Sequence, residues 1–393
     1  MLLSLVTLCL AAQEGKVIDV GVAMPMTSRT VIHNARIVVE GEKIVAVGKQ
    51  SEIKVPNGYQ HLVYKNSVAF PGAVDLHSHI QTGGWEDIND MVHPDNPELR
   101  VLDTVRPWNQ MYQDAAAGGV TVLNNIPGSG TNMSGAGALV KNKPAAHNID
   151  EGIMRHPGSV KVAQGYNPER TADLGGTRMG MWWMLRWWLE DARQVAKAGN
   201  FDERPDVEQI ARIELGHHPY LVHTAGARDT YGTVRMFMLE ADVPVVVSHA
   251  SFHGYLAAEA IAKTGAGLNV GPRNFDFNFN GKAQIRGLVE AFETAGNTDI
   301  SVQTDASVVP AEEFLYQATL GERFGCSTWI ALESLNVRPA EQILAADRIG
   351  TLQPGLDADI VIKAGQPLDP RTPVQLVLVD GDIVYDIEQG QRY

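Results

Sequence analysis

Eight short apolar runs recur along the middle of this 393-residue chain, and their alternation with helical stretches constrains the fold most strongly. The runs lie at residues 68–77, 120–125, 137–141, 160–165, 219–224, 244–249, 267–272 and 300–305. Each has the length of a buried β-strand, and helical patterns such as residues 177–198 lie between several of them. Strands that alternate with helices form parallel sheets, so eight βα units predict an α/β fold with a (β/α)8 TIM barrel over residues 67–335.

The two ends of the chain have a different pattern from the middle. Residues 15–66 and 336–393 consist of short β-branched runs broken by turn residues. Hairpin turns are predicted at Glu40-Gly41-Glu42 and about Asp380-Gly381. We expect the two ends to meet and to form the N- and C-terminal parts of one small β-sandwich domain.

Residues 1–14 predict a leader segment. Met1 is followed by eleven apolar or small residues, far fewer than the roughly 20 that a membrane-spanning helix needs. The run resembles the apolar region of a secretory signal, although the first basic residue is Lys16. We therefore expect a periplasmic or secreted protein. The alternative is that this run is a first β-strand and the protein is cytoplasmic.

Composition excludes several classes of protein. Apolar residues make up 44% of the chain and charged residues 20%, which suits a globular protein with a large core. The 32 basic residues face 46 acidic ones, a net charge of −14 without a basic stretch, which argues against nucleic-acid partners. The only cysteines are Cys9 and Cys326, so any metal must be held by histidines and carboxylates.

The most specific chemical signal is the sequence PGAVDLHSH at residues 71–79, at the end of the first predicted strand. In an extended chain His77 and His79 point to the same face, so both imidazoles can reach one cation. A lone histidine is more often packed or exposed without a ligand. Two histidines with this spacing at a strand end predict metal ligation.

Other strands offer further ligands at their carboxyl ends, where the active sites of barrels form. The fifth, sixth and eighth predicted strands close with His223, His249 and Asp305 respectively. Polar residues at one height in a barrel mouth are hard to explain as core. The alternative is that each is satisfied by hydrogen bonds to loop backbone.

Lys161 lies early in the fourth predicted strand, on the same face as the small residues Ala163 and Gly165. These leave room for a long side chain to rise toward the mouth. A bare ammonium group buried near metal ions would be repelled, whereas a carboxylated lysine is an anionic ligand that can bridge two metals. The alternative is a lysine at the barrel edge paired with an acid.

Three further residues are weaker candidates for contacts with a substrate. Arg228 could clamp a carboxylate, Tyr166 could donate a hydrogen bond to a developing oxyanion, and His253 could lie over the pocket. For Arg228 a surface ion pair is the competing interpretation.

The chain resembles the amidohydrolase superfamily over nearly its whole length. The motifs are PGAVDLHSHI at 71–80, AAAGGVTVL at 115–123, VHTAGARD at 222–229 and RIGTLQPGLDADIVI at 348–362, with the histidine and aspartate of strands six and eight. The resemblance implies a metal-dependent barrel with a β-sandwich built from both termini. It implies that His77 and His79 bind the buried metal, His223 and His249 the exposed metal, that carboxylated Lys161 bridges, and that Asp305 contacts the first.

Segments 127–141, 161–171 and 177–180 resemble the imidazolonepropionase-related exported amidohydrolases. We expect two divalent ions, Zn²⁺ above all, that activate a water for attack on a carbonyl, with one metal as the alternative. Asp305 would act as general base and then general acid. The substrate would be a small molecule with a C–N bond in an amide, cyclic amide or small peptide, so that a dipeptidase is included.

Two other functions stay open. The same metal site could hydrolyse a lactone or a phosphoester, because a metal activates water equally for either bond. The other is a catalytically silent binding protein, which would be expected to have lost ligands, and none is lost here. We expect no membrane-spanning segment, and the sequence leaves open whether the protein forms a homo-oligomer.

Overall fold

The computed structural model describes residues 15–170, 176–278 and 284–389. The expected leader, residues 1–14, lies outside the described residues. The described strands form four sheets of seven, six, four and two strands. The chain is therefore a mixed α/β protein.

Nineteen strands and nine α-helices are described. The strands are β1 Lys16–Ala23, β2 Ile32–Glu40, β3 Lys43–Lys49, β4 Gln60–Pro71, β5 Ala73–Ser78, β6 Val120–Asn125, β7 Met133–Ala136, β8 Ala138–Lys141, β9 Ile153–Arg155, β10 Val160–Ala163, β11 Tyr220–Ala225, β12 Val245–Ser251, β13 Gly267–Val270, β14 Phe275–Asn278, β15 Gln284–Gly287, β16 Ile300–Val302, β17 Ile360–Lys363, β18 Val374–Val379 and β19 Asp382–Asp386. The helices are α1 Gln110–Ala117, α2 Arg178–Ala198, α3 Glu208–Glu214, α4 Ala227–Val234, α5 Ala258–Ala262, α6 Leu288–Thr294, α7 Phe314–Arg323, α8 Thr328–Glu333 and α9 Val337–Gln342.

Strands from the two ends of the chain share the seven-stranded sheet, whose order is β19-β18-β17-β4-β1-β2-β3. The β2–β3 hairpin turns where Glu40 pairs with Lys43, and the β18–β19 hairpin turns at Asp380 and Gly381. Both residues of the second turn have positive φ, 48° and 79°, as a tight hairpin turn of this kind requires. The structure shows one sheet here, and a β-sandwich stays a prediction.

The middle of the chain forms the sheets β16-β13-β12-β11-β10-β7 and β5-β6-β8-β9. All eight apolar runs contribute strands to them. A parallel bridge between Ser78 and Ala306 brings the ends of the two sheets together, and the backbone N–H of His79 donates to Ala306 O at 2.6 Å. The barrel is thus confirmed only in part, because the described strands form mixed sheets rather than one closed ring.

The third predicted strand has the wrong direction. Residues 138–141 form β8, which runs antiparallel to β6, and β7 runs antiparallel to β10. The reason is the connection between β6 and β8. It holds the twelve residues 126–137, which form β7 and no helix, whereas a parallel crossover usually runs through a helix. The eight units are therefore not eight equivalent βα repeats.

Packing fixes the elements that surround the centre of the middle sheets. Every residue of β12 is buried, which is typical of a parallel strand covered on both faces. Helix α2 begins after Thr177, whose hydroxyl accepts from Gly180 N–H, and ends at Gly199 with φ 68°.

Among the described residues, we find no helix with both the length and the apolar character to cross a membrane.

Candidate metal centre

The strand register brings the predicted ligands to one end of the sheets. In the β10–β11 pair Ala163 lies opposite His223, and in the β11–β12 pair His223 lies opposite Ser248. His249 follows Ser248 directly. Asp305 precedes Ala306, the partner of Ser78, so the carboxylate lies next to His77 in β5 and to His79 just after that strand. Parallel pairing thus places side chains from distant segments at one height.

Four imidazoles and one carboxylate form a compact cluster. Ring centroids are 5.1 Å apart for His77 and His79, 4.5 Å for His77 and His249, and 4.4 Å for His223 and His249. Asp305 Oδ1 lies 3.2 Å from His79 Nε2 and 3.4 Å from His77 Nε2. One ligand atom each from His77, His249 and Asp305 lie within 4.8 Å of one another. These three ligand atoms could hold one cation.

Two of the imidazoles are fixed by backbone carbonyls. Nδ1 of His79 bonds to Ile126 O at 2.8 Å, and Nδ1 of His249 bonds to Gly271 O at 2.9 Å. A carbonyl oxygen only accepts, so Nδ1 carries the proton in both rings and Nε2 of the neutral ring keeps its lone pair. A histidine that binds a metal is oriented in this way.

The other two imidazoles are held by serine hydroxyls. Nδ1 of His77 lies 2.6 Å from Ser248 Oγ, and Nδ1 of His223 lies 3.0 Å from Ser129 Oγ. Nε2 of His223 and Nε2 of His249 are buried and have no hydrogen-bond partner among the described residues. Buried polar atoms are normally satisfied, so these two nitrogens indicate room for a cation that they would bind.

Lys161 reaches the cluster as its position on β10 predicts. Its side chain is fully buried, and Nζ lies 2.9 Å from Nε2 of His77. Burial lowers the pKa of the Lys161 amine to about 7, against the opposing effect of Asp305. The structure therefore holds this lysine where a charged ammonium is costly, which fits a ligand better than an ion pair at the barrel edge.

Electrostatics favour the protonation states that ligation requires. Burial lowers the pKa of His77 and His223 well below the ordinary value and that of His249 to about 4, so these rings are neutral near pH 7. Burial raises the pKa of Asp305, but the neighbouring imidazoles and Lys161 outweigh it, and the net pKa is lowered. Neutral imidazoles and an ionised carboxylate are the ligand forms that bind divalent metals.

The backbone is constrained at two of these positions. His249 has φ 67° and Asp305 φ 49°, values in the left-handed region that side chains rarely adopt. Strand β16 ends at Val302, so Asp305 lies in the following loop rather than closing the strand as the sequence predicts. The left-handed turn, not strand alternation, aims its carboxylate at His79. Backbone strain of this kind concentrates at functional sites.

A cavity of about 570 Å³ opens beside the cluster and is lined by both His79 and Asp305. Its walls combine apolar and neutral polar groups. They are Trp85, Ile88, Asn89, Met91, Gly128, Ser129, Gly130, Asn167 and Val308. This volume is in the range of pockets that hold small molecules.

The three weaker candidates lie farther out. Tyr166 is 55% exposed and its ring lies 6.2 Å from that of Phe252. The Arg228 side chain is 69% exposed and approaches Asp229 at 3.7 Å. The backbone N–H of His253 donates to Asp276. None of these three lines the 570 Å³ cavity among the described residues, and their roles stay predictions.

Several residues that support the cluster were given no role by the sequence analysis. Asp75 is fully buried, accepts from His77 N–H at 3.1 Å and from the Thr304 hydroxyl, and its pKa is raised by burial to about 7. Its place in the PGAVDLHSH motif, two residues before His77, could have indicated this role. Ser248, directly before His249, had a similar signal. Ser129 had none, because only the fold brings it to His223.

Two solved structures of other proteins are similar in fold to this chain. An amidohydrolase from Thermotoga maritima has a similar structure, with a TM-score of 0.82 and 26% sequence identity over 94% of this chain and 100% of that one. An adenosine deaminase from Xanthomonas campestris with bound zinc has a TM-score of 0.56 at 15% identity, over 96% of this chain and 93% of that one. This second similarity shows the fold alone.

One curated relative is similar in sequence. The amidohydrolase tasK of Hapsidospora irregularis is 26% identical over 361 residues, which are 80% of this chain and 36% of that protein. This chain thus spans about a third of the length of that relative. No protein-family model matches the chain. The similarities support the amidohydrolase superfamily, and with the histidine–aspartate group they support a divalent metal. The exported subgroup stays a prediction.

Proposed function

We propose that this protein is a metal-dependent hydrolase that cleaves the C–N bond of an amide, a cyclic amide or a small peptide. The observation that carries the proposal is the arrangement of four buried imidazoles, each bonded through Nδ1, around the carboxylate of Asp305. Hydrogen bonds at all four Nδ1 atoms make Nε2 the atom through which each ring would bind a cation, and Nε2 of His77 also contacts Lys161 Nζ. Similarity to two amidohydrolases supports the reaction class.

Two Zn²⁺ ions are the proposed cofactor, with a single ion as the alternative. The residues that would hold them are His77, His79, His223, His249, Asp305 and carboxylated Lys161. A divalent ion bound there supplies Lewis acidity, which lowers the pKa of a water and polarises a carbonyl. The buried, unpartnered Nε2 atoms of His223 and His249 fit this cofactor. The position of Lys161 Nζ beside His77 Nε2 fits a ligand role for the lysine.

Asp305 is the proposed general base. Its carboxylate lines the 570 Å³ cavity and is 19% exposed, so it contacts both the ligand cluster and the space for substrate. Because its pKa is lowered, the carboxylate is ionised near pH 7 and can accept a proton from an attacking water. Because Asp305 lies at the edge of the cavity, it could then return that proton to the leaving nitrogen. Nε2 of His79 lies 3.2 Å from that carboxylate, so both groups could bind the same cation.

The volume and the lining of the cavity support a small-molecule substrate. Trp85, Met91 and Val308 offer apolar contact, while Asn89 and Asn167 offer neutral hydrogen-bonding groups. Such a wall suits the uncharged side of an amide-containing molecule.

The proposal is tested by hydrolysis assays on protein that is stripped of metal and then reloaded with Zn²⁺. The substrates are dipeptides, N-acyl amino acids and cyclic amides, with a lactone and a phosphoester as the alternative bonds. We expect C–N hydrolysis only in the reloaded protein. Faster cleavage of the lactone or the phosphoester would favour the alternative reaction. Equal hydrolysis rates in the stripped and the reloaded protein would exclude both metal-dependent reactions.

Asp305→Asn tests the general base in the same assay. We expect kcat to fall by about 10²–10⁴-fold, the usual contribution of general acid–base catalysis, with the metal retained. Asp299→Asn is the matched control, because Asp299 directly precedes β16 and bonds to Gln342 at the opposite end of that strand. Wild-type turnover of Asp305→Asn with metal bound would remove Asp305 from the mechanism.

A further inference from the structure

A second cavity, of about 650 Å³, lies at the opposite end of the middle sheets. Its lining includes His156, which precedes β10, and His218, which precedes β11. These residues stand five positions before Lys161 and His223 respectively. At about 3.3 Å per strand residue, the cavity is roughly 16 Å from the candidate metal centre, so it is not part of that site.

Two arginines in this lining keep an unused donor group. Arg100 donates Nε and Nη2 to Asp103, and Arg212 donates Nε and Nη2 to Glu208. Within the described part of the chain, Nη1 of each guanidinium has no hydrogen-bond partner. A guanidinium that is fixed through one edge presents its other donors at little entropic cost.

Arg155 gives the cavity a charge that no contacting carboxylate offsets. Its guanidinium donates to the backbone carbonyls of Pro157, Gly158, Leu344 and Ile343. Among the described residues, no carboxylate lies in ion-pair contact with it. Carbonyl dipoles orient the guanidinium but do not neutralise it, so an anion in the cavity would gain from this charge.

Two polar atoms that face no partner complete the site. Nε2 of His156 and Oε1 of Gln209 are both buried, and neither has a hydrogen-bond partner in the described ranges. Both residues line the cavity. Buried polar atoms without partners are uncommon and call for a ligand that satisfies them.

We propose that this cavity binds a small oxyanion of the hydrogen-phosphate type. Its oxygens accept from Nη1 of Arg100, from Nη1 of Arg212 and from Nε2–H of His156, in the field of Arg155. Its hydroxyl donates to Oε1 of Gln209. An anion that both accepts and donates satisfies all the open groups, whereas sulfate, which lacks a proton at neutral pH, leaves the amide oxygen unpaired.

The test is calorimetric titration of the full chain with inorganic phosphate at pH 7.5, in parallel with sulfate and with chloride at matched ionic strength. Both the zinc-loaded and the metal-stripped protein are titrated, since phosphate also binds metal ions. We expect saturable phosphate binding in both forms and weaker binding of sulfate. Phosphate binding that disappears on removal of the metal, or that chloride reproduces, would overturn the proposal.

Variants locate the site. Arg100→Gln combined with Arg212→Gln should weaken phosphate binding by at least about tenfold, because hydrogen bonds to charged groups are strong. Arg371→Gln is the matched control, since Arg371 is also an exposed arginine paired with a nearby carboxylate, that of Asp369. Both arginines of the double variant are partly exposed, so folding should be retained, as circular dichroism would verify. Equal phosphate affinity in the double variant and the control would place the anion elsewhere.

Discussion

Nζ of Lys161 lies 2.9 Å from Nε2 of His77, although 84 positions separate the two residues in the chain. The contact joins β10 to β5 and is fully buried on both sides. The lysine amine thus contacts a nitrogen that we propose as a metal ligand. The proposed carboxylation would replace the basic amine with an anionic carbamate, whose oxygens could bind a cation.

Ser248→Ala should weaken metal binding without unfolding the protein. The Ser248 hydroxyl lies 2.6 Å from His77 Nδ1, so it orients the imidazole through the nitrogen opposite the proposed metal-binding Nε2. Loss of a partner of this kind lowers metal affinity by about 10–100-fold. The measurement is a competition titration of Zn²⁺ against a chelator. Ser327→Ala is the control, because Ser327 caps α8. Equal zinc affinity in the two variants would show that Ser248 does not orient the ligand.

Lys141→Met should strongly destabilise the contact between the middle of the chain and the terminal sheet. Nζ of Lys141 is buried and lies 2.8–2.9 Å from carboxylates of Asp357, Asp359 and Asp380. Removing the ammonium leaves three neighbouring carboxylates without their shared cation, which we expect to lower the free energy of unfolding by about 3–5 kcal/mol. Denaturant titration measures this.

The neighbouring Lys143 provides the control for that experiment. Lys143 is partly exposed, and the ion pair it forms within the described ranges is with Asp380, at 2.8 Å. Lys143→Met should therefore change the free energy of unfolding by less than about 1 kcal/mol. Similar losses in both variants would mean that burial of the Lys141 cluster contributes nothing specific.

Asp19 should contribute to stability in a pH-dependent way. Arg36 donates to both of its carboxylate oxygens at 2.7 Å, and this hydrogen bonding lowers the pKa of Asp19 despite burial. A lowered folded pKa gives stability that is present above the unfolded value, about 3.9, and is lost as pH falls through the folded pKa. The difference in unfolding free energy between wild type and Asp19→Asn should therefore shrink below about pH 4.

Denaturant titrations across the acid range measure that difference. Asp202→Asn is the control, because Asp202 is exposed and lies in a short turn. A difference between wild type and Asp19→Asn that stays constant down to pH 3 would contradict the account of the Asp19–Arg36 pair.

The parts of the site that could be predicted from the sequence are those set by local periodicity. His77 and His79 share a face because strand residues alternate, and Lys161 reaches the cluster because Ala163 on its face leaves space. His223 and His249 lie within β11 and β12 rather than at their last residues, a difference of two positions in each case. Both rings nevertheless lie in the imidazole cluster.

Other features depend on contacts that no local pattern encodes. The antiparallel direction of β8 accompanies a connection that forms β7 and no helix, which the apolar run itself does not reveal. The left-handed backbone of Asp305 and the anchoring of His223 by Ser129 arise from tertiary packing. The residues that orient a candidate ligand, such as Ser129, are therefore recognised only in the folded structure, whereas the candidate ligands can be recognised in the sequence.

Metal content tests the central claim most directly. Wild type and Lys161→Ala are purified without chelator and their bound metals counted by inductively coupled plasma mass spectrometry, with fold verified by circular dichroism. The account predicts about two equivalents in wild type, falling to one or none in the folded variant. Folded wild-type protein that binds no divalent metal, even after reloading with Zn²⁺, would contradict it. One equivalent in both proteins would show that Lys161 is not a ligand.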